Sequence, residues 1–289
     1  MDPNNFINFG GDEIPASDME SARIVVLPVC YENAPSYGTG SKMGSYHILN
    51  ASVQLERMDE ETLIDWGLLK INTAPALTPA DDPEKAVSEI KAAAAHILSQ
   101  DRFLLALGGD HAISIGLILG AAMIYPDMGV LQIDAHLDLR DQWNGSSFNH
   151  ACVMRRISEK LNSPIIQVGI RSFSPEEAEV RKRKNFTTFF AHQIDAHDTG
   201  WMDRVVAALP EQVYITIDLD GLDPSVIPAT GTPEPGGLSY RQLVRLLEKV
   251  GRNRKVIAAD INELTHIDGT YLSEFTAAKL ATKIFVYCV

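Results

Sequence analysis

The sequence predicts an α/β protein whose mostly parallel sheet is covered by helices on both faces. Short apolar runs of strand length alternate with segments of helical periodicity over most of the 289 residues, and the connections between them are short. Strands separated by helices form parallel sheets with both faces covered. The spacing fits a closed eight-stranded barrel and an open sheet equally well. In either architecture, functional residues lie at the carboxyl ends of the strands.

The first hundred residues contain four predicted elements after an irregular N-terminal arm at residues 1–20. Apolar runs predict the strands, and apolar residues at helical spacing predict the first helix. Asp82 and Pro83 are typical of a helix start, because aspartate caps free amide groups and proline fits the first turn. The predicted elements are a strand at 23–28, a helix at 46–58, a short strand at 68–71 and a helix at 82–99.

From residue 103 onward, strands and helices alternate to the end of the chain. No shift in composition marks a boundary, so we expect a single domain over residues 1–289. Gly251 predicts the end of the helix that precedes it. The predicted strands lie at 103–107, 128–134, 165–169, 187–190, 213–218 and 256–261, and the helices at 113–124, 151–160, 175–184, 201–209, 239–250 and from 272 onward.

Charge and composition exclude several classes of partner. The formal net charge is −13, from 38 acidic and 25 basic residues, so nucleic acid and anionic membranes would be repelled, whereas a cationic substrate is compatible. Three widely spaced cysteines imply no disulfide framework and favour a reducing cytoplasm. The sequence also lacks the features of a signal peptide and any apolar run of membrane-spanning length. We therefore expect a cytoplasmic location.

Three ligand-type side chains follow the apolar strand at 128–133. They are Asp134, His136 and Asp138, spaced i, i+2 and i+4. In an extended backbone, alternate side chains point the same way, so all three can face one point. Two carboxylates and an imidazole that converge predict a metal site. A polar, hydrogen-bonded loop is the alternative for this motif taken alone.

Two further strand ends carry residues of the same type. The strand at 103–107 runs through two glycines into Asp110 and His111, and the strand at 213–217 runs into Asp218 and Asp220. His111 alone could be a helix-start histidine bonded to backbone, and Asp110 is expected to cap the next helix or to orient His111. Carboxylates clustered after an apolar strand are unfavourable unless a cation binds.

Four carboxylates and two imidazoles are too many ligands for one zinc ion. Two divalent ions that share carboxylates, Mn²⁺ above all, fit the donor types better. Four negative ligands neutralise two such cations, and a bridging hydroxide would then leave the site slightly negative, which suits a positively charged substrate. The candidate ligands are His111, Asp134, His136, Asp138, Asp218 and Asp220.

The three motifs together resemble the signatures of the ureohydrolase (arginase/agmatinase) family, in the family's order. They are Gly108-Gly109-Asp110-His111, Asp134-Ala135-His136-Leu137-Asp138 and Asp218-Leu219-Asp220-Gly221-Leu222-Asp223-Pro224. The resemblance implies an open three-layer α/β/α sandwich with an eight-stranded sheet and a binuclear manganese centre. It also implies hydrolysis of a guanidino group to urea, and assembly as a homotrimer or homohexamer.

The resemblance implies a role for each candidate residue. Asp134 and Asp218 would bridge two Mn²⁺ ions, His111 and Asp138 would complete one site, and His136 and Asp220 the other. His150 matches the family's proton-shuttling histidine, although a solvent-facing histidine at a helix start remains the alternative. Glu263 matches the glutamate that pairs with the substrate guanidinium, rather than a surface carboxylate after a strand.

Residues around His150 favour the agmatinase branch, as does the loop at 231–238. The segment 140–144 replaces the asparagine- and serine-bearing loop with which arginases hold an α-carboxylate. A substrate without that carboxylate is therefore expected, and agmatine, cleaved to putrescine and urea, is the principal prediction. Residues 44–49 and His266 depart from the family's usual pattern, which affects the shape of the pocket.

Several alternatives stay open at the level of sequence. The nearest share the chemistry: hydrolases of aminopropylagmatine, guanidinobutyrate, guanidinopropionate, arginine or formiminoglutamate. A catalytically silent homologue that serves as a binding subunit would lack a metal ligand, and none is missing. A deacetylase-like enzyme on a related sandwich would use one metal and fewer carboxylates.

Overall fold

A computed structural model describes residues 7–15, 17–194 and 200–289, and these contain eight strands and eight α-helices. The strands are β1 (Ile24–Pro28), β2 (Ile71–Thr73), β3 (Phe103–Leu107), β4 (Gly129–Ile133), β5 (Ile165–Ile170), β6 (Thr187–Phe190), β7 (Gln212–Asp218) and β8 (Lys255–Asn262). The helices are α1 (Gly44–Ser52), α2 (Pro83–Leu98), α3 (Ile113–Ile124), α4 (Val153–Lys160), α5 (Pro175–Lys184), α6 (Gly200–Ala208), α7 (Tyr240–Asn253) and α8 (Leu272–Cys288).

All strand pairs are parallel, and the sheet is open. Its order is β2-β1-β3-β8-β7-β4-β5-β6, with β2 and β6 at the edges. The barrel alternative is therefore wrong. The four central strands are β3, β8, β7 and β4, and their carboxyl ends lie side by side at one edge of the sheet. Any residues that directly follow these four strands are brought together there.

The sheet separates two apolar layers, which confirms the three-layer α/β/α sandwich. Helices α1, α6, α7 and α8 pack on one face, and α2, α3, α4 and α5 on the other. Val25 and Val26, adjacent in β1, belong to opposite layers because successive side chains of a strand alternate between its faces. Every residue of the central strand β4 is buried. Strands covered on both sides explain the uninterrupted apolar runs of the sequence.

Helix starts follow from local sequence. The Asp82 side chain accepts a hydrogen bond from the amide of Lys85 at the start of α2. Ser174 forms a capping box with Glu177 at the start of α5, where each side chain bonds the other residue's backbone amide. Such caps satisfy amide groups that have no partner within the helix.

The structure differs from the predicted elements in three places. Helix α1 ends at Ser52, and the chain then turns, leaving Met58 53% exposed. The second strand forms at Ile71–Thr73, just beyond the predicted 68–71, because Trp66–Leu68 forms a 3₁₀ turn. Helix α7 continues through Gly251 to Asn253. A Cβ at Gly251 would collide with the carbonyl of Tyr287, so this glycine allows α7 and α8 to approach rather than ending α7.

The described part of the N-terminal segment packs against the body of the protein. Phe9 is 1% exposed and makes edge-to-face contacts with Trp66 and Phe285. A 3₁₀ turn follows at Gly11–Glu13. Residues 1–6 and 16 of the predicted arm lie outside the described residues. The three cysteines are free, as predicted, and no helix within the described ranges is long and apolar enough to cross a membrane.

Candidate active site

Seven of the predicted site residues lie at or just after the ends of the four central strands, and the eighth, His150, lies at the end of the loop after β4. His111 follows β3, Asp134, His136 and Asp138 follow β4, Asp218 ends β7 with Asp220 two residues on, and Glu263 follows β8. Seven of the eight predicted residues line one cavity of about 340 Å³, and the remaining one, Asp134, is fully buried next to them. The seven are His111, His136, Asp138, His150, Asp218, Asp220 and Glu263.

The turn that carries His111 requires glycine. Gly108 and Gly109 have φ of 86° and 79°, values that other residues rarely adopt. A Cβ on Gly108 would also collide with the backbone of Ser45. The chain therefore leaves β3 sharply and places His111 in the wall of the cavity, where it is 1% exposed.

The first ligand group surrounds one nitrogen of His111. His111 Nδ1 lies 3.2 Å from Asp134 Oδ2, 2.8 Å from Asp138 Oδ2 and 3.5 Å from Asp218 Oδ2. Yet His111 Nδ1 and Asp138 Oδ2 are both buried without a hydrogen-bond partner. Ligand atoms that approach one another without hydrogen bonding, and are shielded from water, face a common point suited to a cation.

The second ligand group shares Asp134 with the first. His136 Nδ1 lies 3.6 Å from Asp134 Oδ1 and 3.0 Å from Asp220 Oδ2. The two oxygens of Asp134 thus face different histidines, Oδ2 toward His111 and Oδ1 toward His136. Each group can offer three ligand atoms within 4.8 Å of one another: His111, Asp134 and Asp218 in one, and Asp134, His136 and Asp220 in the other. The residues fit two adjacent cations.

Backbone and side-chain contacts hold these carboxylates in place. The amide of His136 donates to Asp134 Oδ1 at 2.6 Å, and the Gln132 side chain donates to Asp134 Oδ2 at 2.7 Å. The amide of Asp220 donates to Asp218 Oδ1 at 2.9 Å, and the amide of Ala135 donates to Asp220 Oδ1 at 3.1 Å. The ends of β4 and β7 are therefore tied together through the ligands themselves.

The carboxylates strongly perturb one another's ionisation. Burial, assisted by the charge of Asp134, raises the pKa of Asp138 to about 7. Burial and the charges of Asp220 and Asp134 raise the pKa of Asp218 well above its usual value. For His111, burial lowers the pKa, but the neighbouring carboxylates of Asp134 and Asp138 raise it well above normal. Cations bound at this site would relieve the repulsion between its carboxylates.

A buried polar network that no sequence motif indicates lies behind His111. His111 Nε2 lies 3.0 Å from Thr216 Oγ1, which lies 2.8 Å from Asp260 Oδ1. Asp260 also accepts hydrogen bonds from Tyr214, Ser114 and Asn262. Each of these residues sits on a strand or helix that reads as ordinary core, so only the three-dimensional structure relates them to the ligand.

His150 stands at the edge of the cavity, at the start of a short 3₁₀ turn capped by Asn149. Its Nε2 lies 2.8 Å from Ser36 Oγ, which also accepts a hydrogen bond from Trp143 Nε1 at 2.9 Å. Burial, together with the positive charges of His111 and His136, lowers the pKa of His150 to about 4. The imidazole of His150 is therefore neutral at neutral pH. Ser36 was also missed, because nothing in its glycine- and serine-rich loop distinguishes it.

Glu263 is held in an unusual backbone conformation beside the ligands. Its φ is 63°, and its Oε1 accepts a hydrogen bond from the amide of His111 at 2.7 Å. Burial and the charge of Asp110 raise the pKa of Glu263 well above its usual value. A strained, half-buried carboxylate in a pocket is a candidate for binding a cationic group.

Three residues near the candidate ligands have structural roles. Asp110 accepts hydrogen bonds from the amides of Ala112 and Asn33, so it caps the turn before α3 rather than facing the ligands. Cys152 is a fully buried packing residue. Arg171, which the sequence did not single out, donates to the carbonyls of Asp220, Leu222 and Glu234 and so holds the loop after β7.

The structure brings together two histidines that the sequence left apart. The rings of His47 and His266 stack 4.8 Å apart at an interplanar angle of 8°, and His266 Nδ1 lies 2.6 Å from Glu274. A metal ion lies in the plane of an imidazole ligand, and nearly parallel planes do not meet at one ion. This cluster is therefore a partly buried polar contact and not part of the candidate site.

The fold is an open parallel α/β/α sandwich. Its pocket lies at the ends of the central strands and is lined by carboxylates and histidines, which is typical of an α/β enzyme with a metal centre. Comparison with known proteins identifies the family. The sequence profile of the arginase family matches residues 22–287, so the chain belongs to this family of hydrolases.

Individual relatives cover nearly the whole chain. An N(1)-aminopropylagmatine ureohydrolase of Synechocystis sp. is 37% identical over 278 residues, covering 92% of this chain and 89% of the relative. An agmatinase of Pyrococcus horikoshii is 34% identical over 278 residues, 93% of each chain. The crystal structure of the agmatine ureohydrolase of Thermoplasma volcanium superposes with a TM-score of 0.87 at 29% identity, over 94% of this chain and 91% of that one. The predicted family and fold are confirmed.

Proposed function

We propose that this protein is a binuclear manganese hydrolase that cleaves a guanidino group to urea and an amine, with agmatine as its principal substrate. The observation that carries the proposal is the pair of three-residue ligand groups that share Asp134. Complete convergence of six predicted ligands speaks against a catalytically silent homologue. Four carboxylates in the set speak against a single-metal deacetylase-like site.

His111, Asp134, Asp138 and Asp218 would hold one ion, and Asp134, His136, Asp218 and Asp220 the other. When bound, two divalent cations supply a nucleophile at neutral pH by lowering the pKa of water. The buried carboxylates stay in fixed positions, because they accept hydrogen bonds from backbone amides at the ends of β4 and β7.

Glu263 is proposed to bind the substrate guanidinium. A guanidinium keeps its charge at any working pH and presents several N–H donors in a plane. The carboxylate of Glu263 can accept charge-assisted hydrogen bonds from it and hold the carbon toward the metal ligands. The positive charge of the substrate would in turn stabilise the ionised form of Glu263, whose proton is otherwise favoured by burial.

His150 is proposed to move a proton. Cleavage of the C–N bond leaves the departing amine in need of a proton, and a neutral imidazole at the pocket edge can take one and return it. His150 lines the same cavity as Glu263 and the candidate metal ligands.

Agmatine is the first candidate substrate because Arg140-Asp141-Gln142-Trp143-Asn144 stands where arginases carry the loop that holds an α-carboxylate. N(1)-aminopropylagmatine is the second candidate, favoured by the 37% identity to an enzyme named for it. Both are cationic guanidino amines, which suits the acidic composition of the chain and of the pocket. Homotrimeric or homohexameric assembly in the cytoplasm remains a prediction from the family resemblance.

The test is urea release by the Mn²⁺-loaded protein from agmatine, N(1)-aminopropylagmatine, guanidinobutyrate, guanidinopropionate and arginine. We expect the highest kcat/KM with agmatine and no urea from the Asp134→Ala variant. A higher kcat/KM for N(1)-aminopropylagmatine would replace the first candidate by the second. If arginine were turned over far better than either, the proposed substrate class would be wrong. If no compound released urea, the hydrolase proposal would be wrong.

A further inference from the structure

One loop contacts three separate parts of the pocket wall. We call residues 33–38, which follow β1, the mouth loop. The amide of Asn33 donates to Asp110 Oδ2 at 2.7 Å, near the end of β3. The amide of Gly38 donates to the carbonyl of Gly231 at 3.0 Å, in the loop after β7. Between these two anchors, the mouth loop lies against the segment that carries His150.

Ser36 makes the contact that matters for His150. Its Oγ lies 2.8 Å from His150 Nε2 and 2.9 Å from Trp143 Nε1. The indole nitrogen only donates, so Trp143 occupies one lone pair of the Ser36 oxygen and leaves its proton and a second lone pair. Ser36 can therefore donate to Nε2 when His150 is neutral and accept from Nε2–H when His150 is protonated. The hydrogen bond between Ser36 and His150 can therefore form in both protonation states of the imidazole.

The other nitrogen of the ring makes no hydrogen bond to the described residues. His150 Nδ1 has no hydrogen-bond partner within residues 7–15, 17–194 and 200–289, and the ring lines the cavity that holds the candidate ligands. Ser36 therefore provides the ring's protein hydrogen bond in this part of the chain. An imidazole fixed at one nitrogen keeps a defined orientation for proton exchange at the other.

The backbone of the mouth loop does not depend on the Ser36 hydroxyl. The Asn144 side chain donates to the carbonyl of Ala34 at 3.1 Å, and the Asn149 side chain donates to the carbonyls of Asn33 and Ala34 at 3.4 Å. Removal of the Ser36 hydroxyl should leave these contacts, and the loop, in place. Ser36 is also exposed, so its replacement creates no buried cavity.

We propose that Ser36, itself oriented by Trp143, is a positioning residue that holds the imidazole of His150 for proton transfer. The inference rests on the proposed function of His150 as the proton shuttle. Ser36 acts through His150, and its hydroxyl takes no part in binding the metal ions or the guanidinium.

The first test is a double-mutant cycle in the Mn²⁺-loaded protein. Ser36→Ala should lower kcat about three- to tenfold, which corresponds to the net free energy of one hydrogen bond. KM and manganese content should be unchanged. Ser36→Thr, which keeps the hydroxyl, should retain activity, and Ser21→Ala serves as the control at an exposed serine elsewhere. His150→Ala should lower kcat by about a hundredfold or more. In the His150→Ala background, Ser36→Ala should have no further effect.

Each outcome separates this inference from the proposed function. Multiplicative losses in the double variant, or a raised KM with unchanged kcat in Ser36→Ala, would show that Ser36 shapes the pocket independently of His150, and the inference would be wrong. Full activity of His150→Ala would overturn it together with the shuttle role, while urea release by the wild type would still support the hydrolase.

A second readout does not depend on turnover. A crystal structure of Mn²⁺-loaded Ser36→Ala should show the His150 ring rotated or split between rotamers, with the backbone of the mouth loop unmoved. Ser36→Thr should show the ring in its original place. An unchanged, fully ordered His150 ring in Ser36→Ala would overturn the inference even if the substrate proved to be another guanidino compound.

Discussion

Thr216 Oγ1 lies 3.0 Å from His111 Nε2, on the side of the imidazole opposite the carboxylates. Asp260 accepts hydrogen bonds from several donors, Thr216 among them at 2.8 Å, so the threonine proton points to Asp260 and its oxygen accepts from His111 Nε2–H. A cation that binds Nδ1 of His111 would displace the proton held there by the neighbouring carboxylates, while Nε2–H keeps Thr216 as its acceptor. The tautomer of a ligand histidine is commonly fixed in this way from behind.

Thr216→Val should therefore weaken metal binding while keeping the shape of the core. We expect the affinity for Mn²⁺ to fall about 10- to 100-fold, measured by titration of the metal-free protein. Thr282→Val is the matched control, because Thr282 is equally buried but donates only to the carbonyl of Lys279 within its own helix. Equal affinities in the two variants would contradict a role for Thr216.

Asp134 should be the ligand whose loss affects both ions. Its two oxygens face different histidines, whereas Asp138 approaches only His111. Asp134→Ala is expected to lose both ions and Asp138→Ala predominantly one, as measured by elemental analysis after dialysis. One ion retained at full occupancy in Asp134→Ala would mean that this carboxylate does not bridge.

Much of the fold was predictable because its signals are local. Apolar runs on doubly covered strands, and caps such as Ser174 with Glu177, depend on residues that are neighbours in sequence. The order of the strands was not predictable, because β8 inserts between β3 and β7 through long-range pairing. The end of α7 was misjudged because Gly251 serves contact with α8, which the sequence does not reveal.

The candidate site shows the same division between local and distant signals. The motif at 134–138 can be recognised from its spacing and from its position after an apolar strand. His111 and Asp218 also follow apolar strands and can be recognised in the same way. Ser36 meets His150 across 114 residues, and Thr216 meets His111 across 105. A serine in a loop and a threonine in a core strand carry no signal of their own.

Glu263→Gln should impair catalysis without emptying the metal site. The amide keeps the size of the side chain and an oxygen for the His111 amide, but it loses the charge that would pair with the guanidinium. Loss of one partner of a buried charge pair costs about 2 kcal/mol or more, so kcat/KM should fall at least about 30-fold. Manganese content should match the wild type.

The control for this variant is Glu234→Gln. Glu234 is partly exposed, and its carboxylate lies 4.0 Å from Nε2 of the cavity-lining residue His136. Exposed pairs of this kind are worth at most about 1 kcal/mol, so the change in kcat/KM should stay below about fivefold. If both variants lost activity equally, general reduction of negative charge would explain the effect and the assigned role of Glu263 would be wrong.

A buried ion pair outside the site should make stability depend on pH. Lys283 on α8 is fully buried, and its Nζ lies 2.5 Å from Asp59 Oδ2. Burial alone would raise the pKa of Asp59, but the nearby ammonium of Lys283 and hydrogen bonds from Thr62 lower it below its usual value. Burial lowers the pKa of Lys283, yet Asp59 and Glu60 raise it overall. The pair therefore stabilises the fold between about pH 4 and pH 10 and is lost beyond either limit.

Lys283→Met should leave the buried Asp59 without its cation and cost about 3–5 kcal/mol of unfolding free energy at pH 7. The loss should be smaller near pH 4.5, because unpaired Asp59 can then take up a proton, and the double variant Asp59→Asn/Lys283→Met should recover part of it. Thermal unfolding at both pH values measures the effect. Lys279→Met, on the same helix but 3.7 Å from Glu60 at the surface, is the control and should change stability by less than about 1 kcal/mol. A pH-independent loss in Lys283→Met would contradict this account of the pair.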